Sequence, residues 1–168
     1  KNTNATEQTA GSINLKTREL KVRWNKASRL TSTSEVLLHE VNHAMSHHVF
    51  KENVQLRRLA EDLRKTALDA GIDYKVFLEG IDNPTANEIE IAKMKYEYTF
   101  DKTANVEEFY AYATTNERVY NAIKDLEITT PLIKEVELEA GKRQPLKKVL
   151  NILIKEINKM WRLLSGRG

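Results

Sequence analysis

Ser32-Thr33-Ser34-Glu35-Val36-Leu37-Leu38-His39-Glu40-Val41-Asn42-His43-Ala44-Met45 is the stretch from which the rest of the chain can be read. It opens with a capping box: the Ser32 hydroxyl can accept from the backbone three residues on, and Glu35 can reach back to the cap. The apolar residues that follow, Leu37, Val41, Ala44, Met45 and Val49, fall mostly on one side of a helix. All four histidines of the protein, His39, His43, His47 and His48, lie on this segment within ten residues. His39-Glu40-Val41-Asn42-His43 has the form HExxH, and composition alone predicts only about 0.01 such matches in a chain of this length.

The spacing has a geometric consequence. Residues four apart on a helix are rotated by ~40° and separated by ~6 Å along the axis. Two imidazoles so placed can converge on one ion at ~2.0–2.1 Å. Glu40 lies ~100° round the helix from His39, beside such an ion rather than on it. It is placed to take a proton from a metal-bound water, whose pKa a zinc ion lowers toward ~7. With no cysteine in the chain, the remaining ligands must be His, Asp or Glu.

A catalytic zinc site needs a third protein ligand, and the helix itself does not provide it. His47 is two turns from His39, ~12 Å along the axis. The longer HExxHxxGxxH pattern fails, because Ser46 and Val49 occupy the Gly and third His positions. His47 and His48 therefore read as packing or rim residues. The best source of a third ligand is Val106-Glu107-Glu108-Phe109-Tyr110-Ala111-Tyr112-Ala113, where a pair of acids enters a second helix and small residues allow close approach. Acids also favour a helix N-terminus for electrostatic reasons alone, so the residues themselves leave Glu107 and Glu108 both open.

Outward from this centre, Ser12-Ile13-Asn14-Leu15 and Leu20-Lys21-Val22-Arg23-Trp24 alternate apolar and polar and read as a β-hairpin. A second helical stretch covers about 50–70, with Val54, Leu59, Leu63 and Ala67 inside and Gly71 as its stop. Whether it breaks from the first helix near Val49 is open. Residues 72–104 are ambiguous: Thr85-Ala86-Asn87-Glu88 can cap a helix, yet Met94, Tyr96, Tyr98 and Phe100 alternate like a strand. Helical patterning returns with Phe109 and Ala113, restarts at Asn116, and Pro131 opens a short element ending at Gly141. Pro145 begins the clearest helix, with Leu146, Val149, Leu150, Leu153, Ile157, Met160, Trp161 and Leu164 on its apolar side. The expected class is α+β, mostly helical with a small N-terminal sheet.

The expected organisation is a loose segment over 1–10, one domain over 11–141, and a basic amphipathic helix over 142–168 packed on the same domain. The 168 residues, 40 % hydrophobic and 30 % charged, supply one sizeable core and exclude a disordered chain. No run approaches the ~18 apolar residues of a membrane span. A start at Lys1, with no apolar leader, reads as a piece of something longer. Net charge is +3, but from Lys142 onward eight basic residues face Glu156 alone. That stretch reads as a solvated cationic helix face, and nucleic acid is not an expected partner.

The order of hairpin, hydroxyl-rich cap, Leu-Leu-His-Glu-x-x-His-Ala and Glu-Glu-Phe-x-Ala resembles the zincin-like metallopeptidase domains in large polyvalent proteins of phages and mobile elements. Glu108-Phe109-Tyr110-Ala111 is more distantly similar to the third-ligand helix of the anthrax lethal-factor catalytic domain. The resemblance spans roughly 11–126. It implies a gluzincin-type site with Zn2+ held by His39, His43 and Glu108, the last chosen because the ligand directly precedes the aromatic. It implies Glu40 as general base and hydrolysis of peptide bonds in a protein or peptide substrate. It further implies a Tyr that stabilises the oxyanion, for which Tyr98 is the choice, with Tyr96 and Tyr110 as alternatives. The parent polyprotein or virion proteins are implied partners, and a phage particle or bacterial cytoplasm the implied location. The position after Ala111, often acidic in that family, is Tyr112 here, which favours an alternative: a zinc-binding structural or delivered module with weak or no activity.

Overall fold

In a computed structural model the described residues are 11–14, 19–22, 28–101, 104–129, 141–164 and 166. The chain forms a mostly helical α+β fold with two small antiparallel sheets. Strands β1 (Gly11–Asn14) and β2 (Glu19–Val22) pair with Ile13 opposite Leu20 and lie along the first helix. Leu15, Arg23 and Trp24, and the element expected to start at Pro131, fall outside the described residues.

Helix α1 (Thr33–Glu52) begins where the Ser32 side chain accepts from the Glu35 amide. Asn53 then serves two helices at once. Its amide caps α1 by donating to Val49 O, and its side chain accepts from the Leu56 amide to start α2 (Val54–Asp69). One extended residue, Asn53, therefore separates the two helices, a break that periodicity leaves open. At the far end, Gly71 (φ +86°) donates to Leu68 O and Ile72 to Ala67 O. That pair of bonds needs a left-handed residue, which glycine provides without a Cβ clash.

After a 3-10 turn at Tyr74–Leu78, α3 spans Ala86–Phe100. Thr85 and Glu88 form a complete capping box. The strand-like alternation of Met94, Tyr96, Tyr98 and Phe100 is thus helical. Tyr96 and Phe100 stack one turn apart, and the Tyr96 hydroxyl donates to Ile72 O at 3.0 Å. Local alternation of aromatics gave way to the cap and to tertiary packing.

Helix α4 (Val106–Thr115) and α5 (Glu117–Ile123) meet at Asn116, which ends one and caps the other. Strands β3 (Glu127–Thr129) and β4 (Arg143–Pro145) pair, and α6 (Leu146–Leu164) follows directly. The core unites Phe50, Leu59, Leu63, Phe77, Phe100, Phe109, Ile123 and the α6 stripe Leu146, Val149, Leu150, Leu153 and Ile157. Helix α6 packs on both α1 and α2. Val54, expected inside, lies at the surface instead at 43 % exposed, and Val41, from the apolar side of α1, is 41 % exposed. No described helix is long and apolar enough to cross a membrane.

Candidate metal centre

Helices α1 and α4 form the most extensive helix–helix contact of the fold, and they run antiparallel. Pairings descend in register from Glu35–Asn116, through His39–Tyr112 and His43–Glu108, to His47–Glu107. Ser46 on α1 and Ala111 on the facing stripe of α4 are fully buried small residues that permit close approach. A cross-link ties the two helices beside the site: Asn42 donates to Thr114 Oγ1 at 2.9 Å, and Thr114 donates in turn to Tyr110 O.

This register brings both acids of α4 to the histidines of α1. Glu108 spans two imidazoles, with Oε2 3.0 Å from His39 Nε2 and Oε1 3.4 Å from His43 Nε2. Donors around a tetrahedral zinc at ~2.0–2.1 Å lie about 3.3 Å apart. Both spacings are near that edge length. The chemistry of the set, two imidazole nitrogens and a carboxylate, also suits zinc.

Two features work against it. Among the described residues, no group of three or more His, Asp or Glu has the joint geometry of a finished ion site. The carboxylate divides its two oxygens between the rings, whereas a shared ion would draw one oxygen and both nitrogens to a point. Second, His39 Nδ1 is buried with no hydrogen-bond partner. A ligating imidazole usually donates from its other nitrogen to an acceptor that holds the ring in place. Here the neighbour of that ring is Tyr112, with centroids 4.3 Å apart.

His47, a packing or rim residue by its spacing, has a partner on α4. Its Nδ1 is 3.0 Å from Glu107 Oε1, and Glu107 Oε2 is also 3.5 Å from His43 Nε2. Glu107 is buried, and its carboxyl lies against imidazoles on two successive turns. The signal was the i, i+4, i+8 series of histidines facing two consecutive acids. His48 turns instead toward Trp161 of α6.

The electrostatics separate the two carboxyls assigned to chemistry. Burial pushes Glu108 up, but the hydrogen bond with His39 and the charges of His39 and His43 outweigh it, leaving its pKa below the usual value. Glu40 goes the other way. Burial raises its pKa, Glu108 adds to the rise, and His39 and His43 offset only part of it. Burial and the charges of Glu108, Glu35 and Glu40 push the Tyr112 phenol up, so it stays protonated.

The remaining tyrosines are placed less favourably. Tyr98 belongs to helix α3, not to an extended segment, and is 58 % exposed on the side turned away from Ala92, Tyr96 and Thr99. The Tyr96 hydroxyl is committed to Ile72 O. Tyr110 is buried against Phe50. Tyr112 is the tyrosine that touches a ligand candidate, and its contact with His39 was not foreseen from its place after Ala111.

No protein-family model matches the chain, and neither the curated proteins nor the solved structures yield a match.

Proposed function

We propose that the chain is a zinc-dependent metallopeptidase of the zincin kind, with His39, His43 and Glu108 holding the ion. The observation that carries this reading is the Glu108 carboxylate lying within 3.0 and 3.4 Å of the Nε2 atoms of an HExxH pair. When bound, zinc would supply a Lewis acid and make a coordinated water a nucleophile near neutral pH. Glu40 adjoins His39 in the chain and is a carboxylate whose proton affinity burial has raised. Such a base takes a proton from the attacking water and returns it to the leaving amine. Glu107 holds His47, and its Oε2 lies 3.5 Å from the same His43 Nε2 that faces Glu108. Tyr98 as oxyanion donor finds no support in its exposed position on α3.

Elemental analysis of the purified chain tests the first step. One zinc per wild-type chain is expected, with loss in His43→Ala and Glu108→Ala. Cleavage of a protein or peptide substrate by wild type, abolished in zinc-replete Glu40→Gln, tests the second. Activity that survives this change removes the base from Glu40.

A second reading has its own observation. The unpartnered His39 Nδ1 and the Tyr112 ring beside it favour a domain that binds zinc weakly and serves as a structural or delivered module of a larger phage or mobile-element protein. Stoichiometric zinc without cleavage of any tested protein would select it.

A further inference from the structure

His39, His43 and His47 stand four residues apart on α1, so each neighbouring pair has the spacing of the HExxH pair. Two consecutive acids of α4 face this series: Glu108 meets the first pair and Glu107 the second. Glu107 Oε2 lies 3.2 Å from His47 Nδ1 and 3.5 Å from His43 Nε2. Both lengths are close to the ~3.3 Å that separates donors around a tetrahedral zinc. A single oxygen thus faces two imidazole nitrogens, whereas the nearest contacts of Glu108 use a different oxygen for each ring.

Glu107 is buried, and a buried carboxylate must be met either by imidazole N–H groups or by an ion held jointly with the imidazole lone pairs. Two imidazoles and a carboxylate suit zinc or another first-row divalent ion. His47 and Glu107 also line a cavity of about 440 Å3 between the C-terminal half of α1, the middle of α2 and the entry to α4. An ion between them therefore has water on one side to complete its coordination. As with Glu108, side-chain rotation must draw the donors together, since no described group of three has the joint geometry of a finished ion site.

We propose that His43, His47 and Glu107 form a second zinc position, one helical turn along α1 from the first and exclusive of it. The inference rests on the reading of His39, His43 and Glu108 as the first position. His43 belongs to both, and its Nε2 has a single lone pair to give, so the chain holds one ion at a time. The second position is the weaker. The His47 side chain is 36 % exposed against 11 % for His39, and it gives up more freedom when an ion fixes it. It is also idle toward hydrolysis: Ala44 follows His43 where Glu40 follows His39, so no carboxylate stands in the place of the base.

Calorimetric titration of the metal-free full chain with zinc tests it. Wild type should reach one ion per chain even in excess. His39→Gln combined with Glu108→Gln dismantles the first position and should still take one ion, more weakly than wild type and only with zinc in solution. Adding His47→Gln to that pair should abolish uptake. Where the pair lacks the wild-type unfolding transition by circular dichroism, Glu108→Gln alone replaces it and is compared with and without His47→Gln. The inference is overturned by a folded variant without its first position that takes no zinc, by uptake that survives His47→Gln, or by two ions in wild type. The first position is judged separately by His47→Gln in the otherwise wild-type chain, which should keep one ion with affinity near that of wild type. If this variant takes none while the His39→Gln, Glu108→Gln pair takes one, the second position stands and the peptidase centre falls.

Discussion

Glu107 and Glu108 are neighbours in sequence with different tasks, and the difference is measurable. Glu108 shares its oxygens between His39 and His43, whereas Glu107 pairs with His47 at 3.0 Å and reaches His43 Nε2 only at 3.5 Å. If Glu108 is a ligand as proposed, Glu108→Gln removes a ligand charge and should cost most of the zinc affinity. Glu107→Gln should leave one zinc per chain and lower its affinity less than Glu108→Gln does. Competition with a chelator of known affinity reads both. Equal loss in the two variants would make Glu107 a ligand in its own right. For Glu40→Gln, zinc content should be unchanged while turnover falls by about 10²- to 10⁴-fold.

Between elements, the register of α1 on α4 decides whether these side chains meet. Ala111 lies on the same stripe of α4 as Glu108 and Tyr112 and is fully buried. Ala111→Leu should overpack the interface, destabilise the fold by about 1–3 kcal/mol in denaturant titration, and weaken zinc binding as the helices part. Asn42→Leu removes the hydrogen bond to Thr114 and should cost about 1 kcal/mol, with zinc affinity as the second readout. A different contact sets the acid stability of α3. Hydrogen bonds from Arg29, then from the Thr85 backbone, hold Glu88 down to about 2 against an ordinary value of 4.5. A carboxyl lowered on folding stabilises fully above its unfolded pKa and loses that contribution as pH falls toward the folded one. Glu88→Gln should therefore melt below wild type at pH 7, with the gap closing between pH 4.5 and 2 in thermal scans.

For the whole molecule, α6 is structural before it is anything else. Leu146, Val149, Leu150, Leu153 and Ile157 are at most 1 % exposed. At about 1.5–3 kcal/mol each, their burial rivals the ~5–15 kcal/mol total stability of an ordinary domain. Deleting 142–168 should leave a chain with no cooperative unfolding transition by circular dichroism. Reversing the exposed Lys148, Lys155 and Lys159 to Glu should preserve that transition. This contrast separates the basic face of the helix from its apolar one.

The local signals were strong wherever one turn of chain contains both partners. The Ser32 cap, the Gly71 stop, the Asn116 restart, the hairpin pairing and the apolar stripe of α6 all follow from residues three or four apart, or from a short connection. HExxH likewise lies on one helix, so its two imidazoles were legible without knowing what faces them. Residues 94–100 misled because aromatic alternation is a two-residue pattern, whereas a cap at Thr85 and contacts with Ile72 and Tyr112's helix act at longer range. Tertiary structure alone decided which acid reached which histidine, since that depends on the sliding register of two antiparallel helices separated by more than fifty residues. It also turned Tyr98 outward, set Tyr112 against His39, and built a cavity from three segments no local pattern joins. Periodicity reports which face of an element is buried; only packing settles what it is buried against.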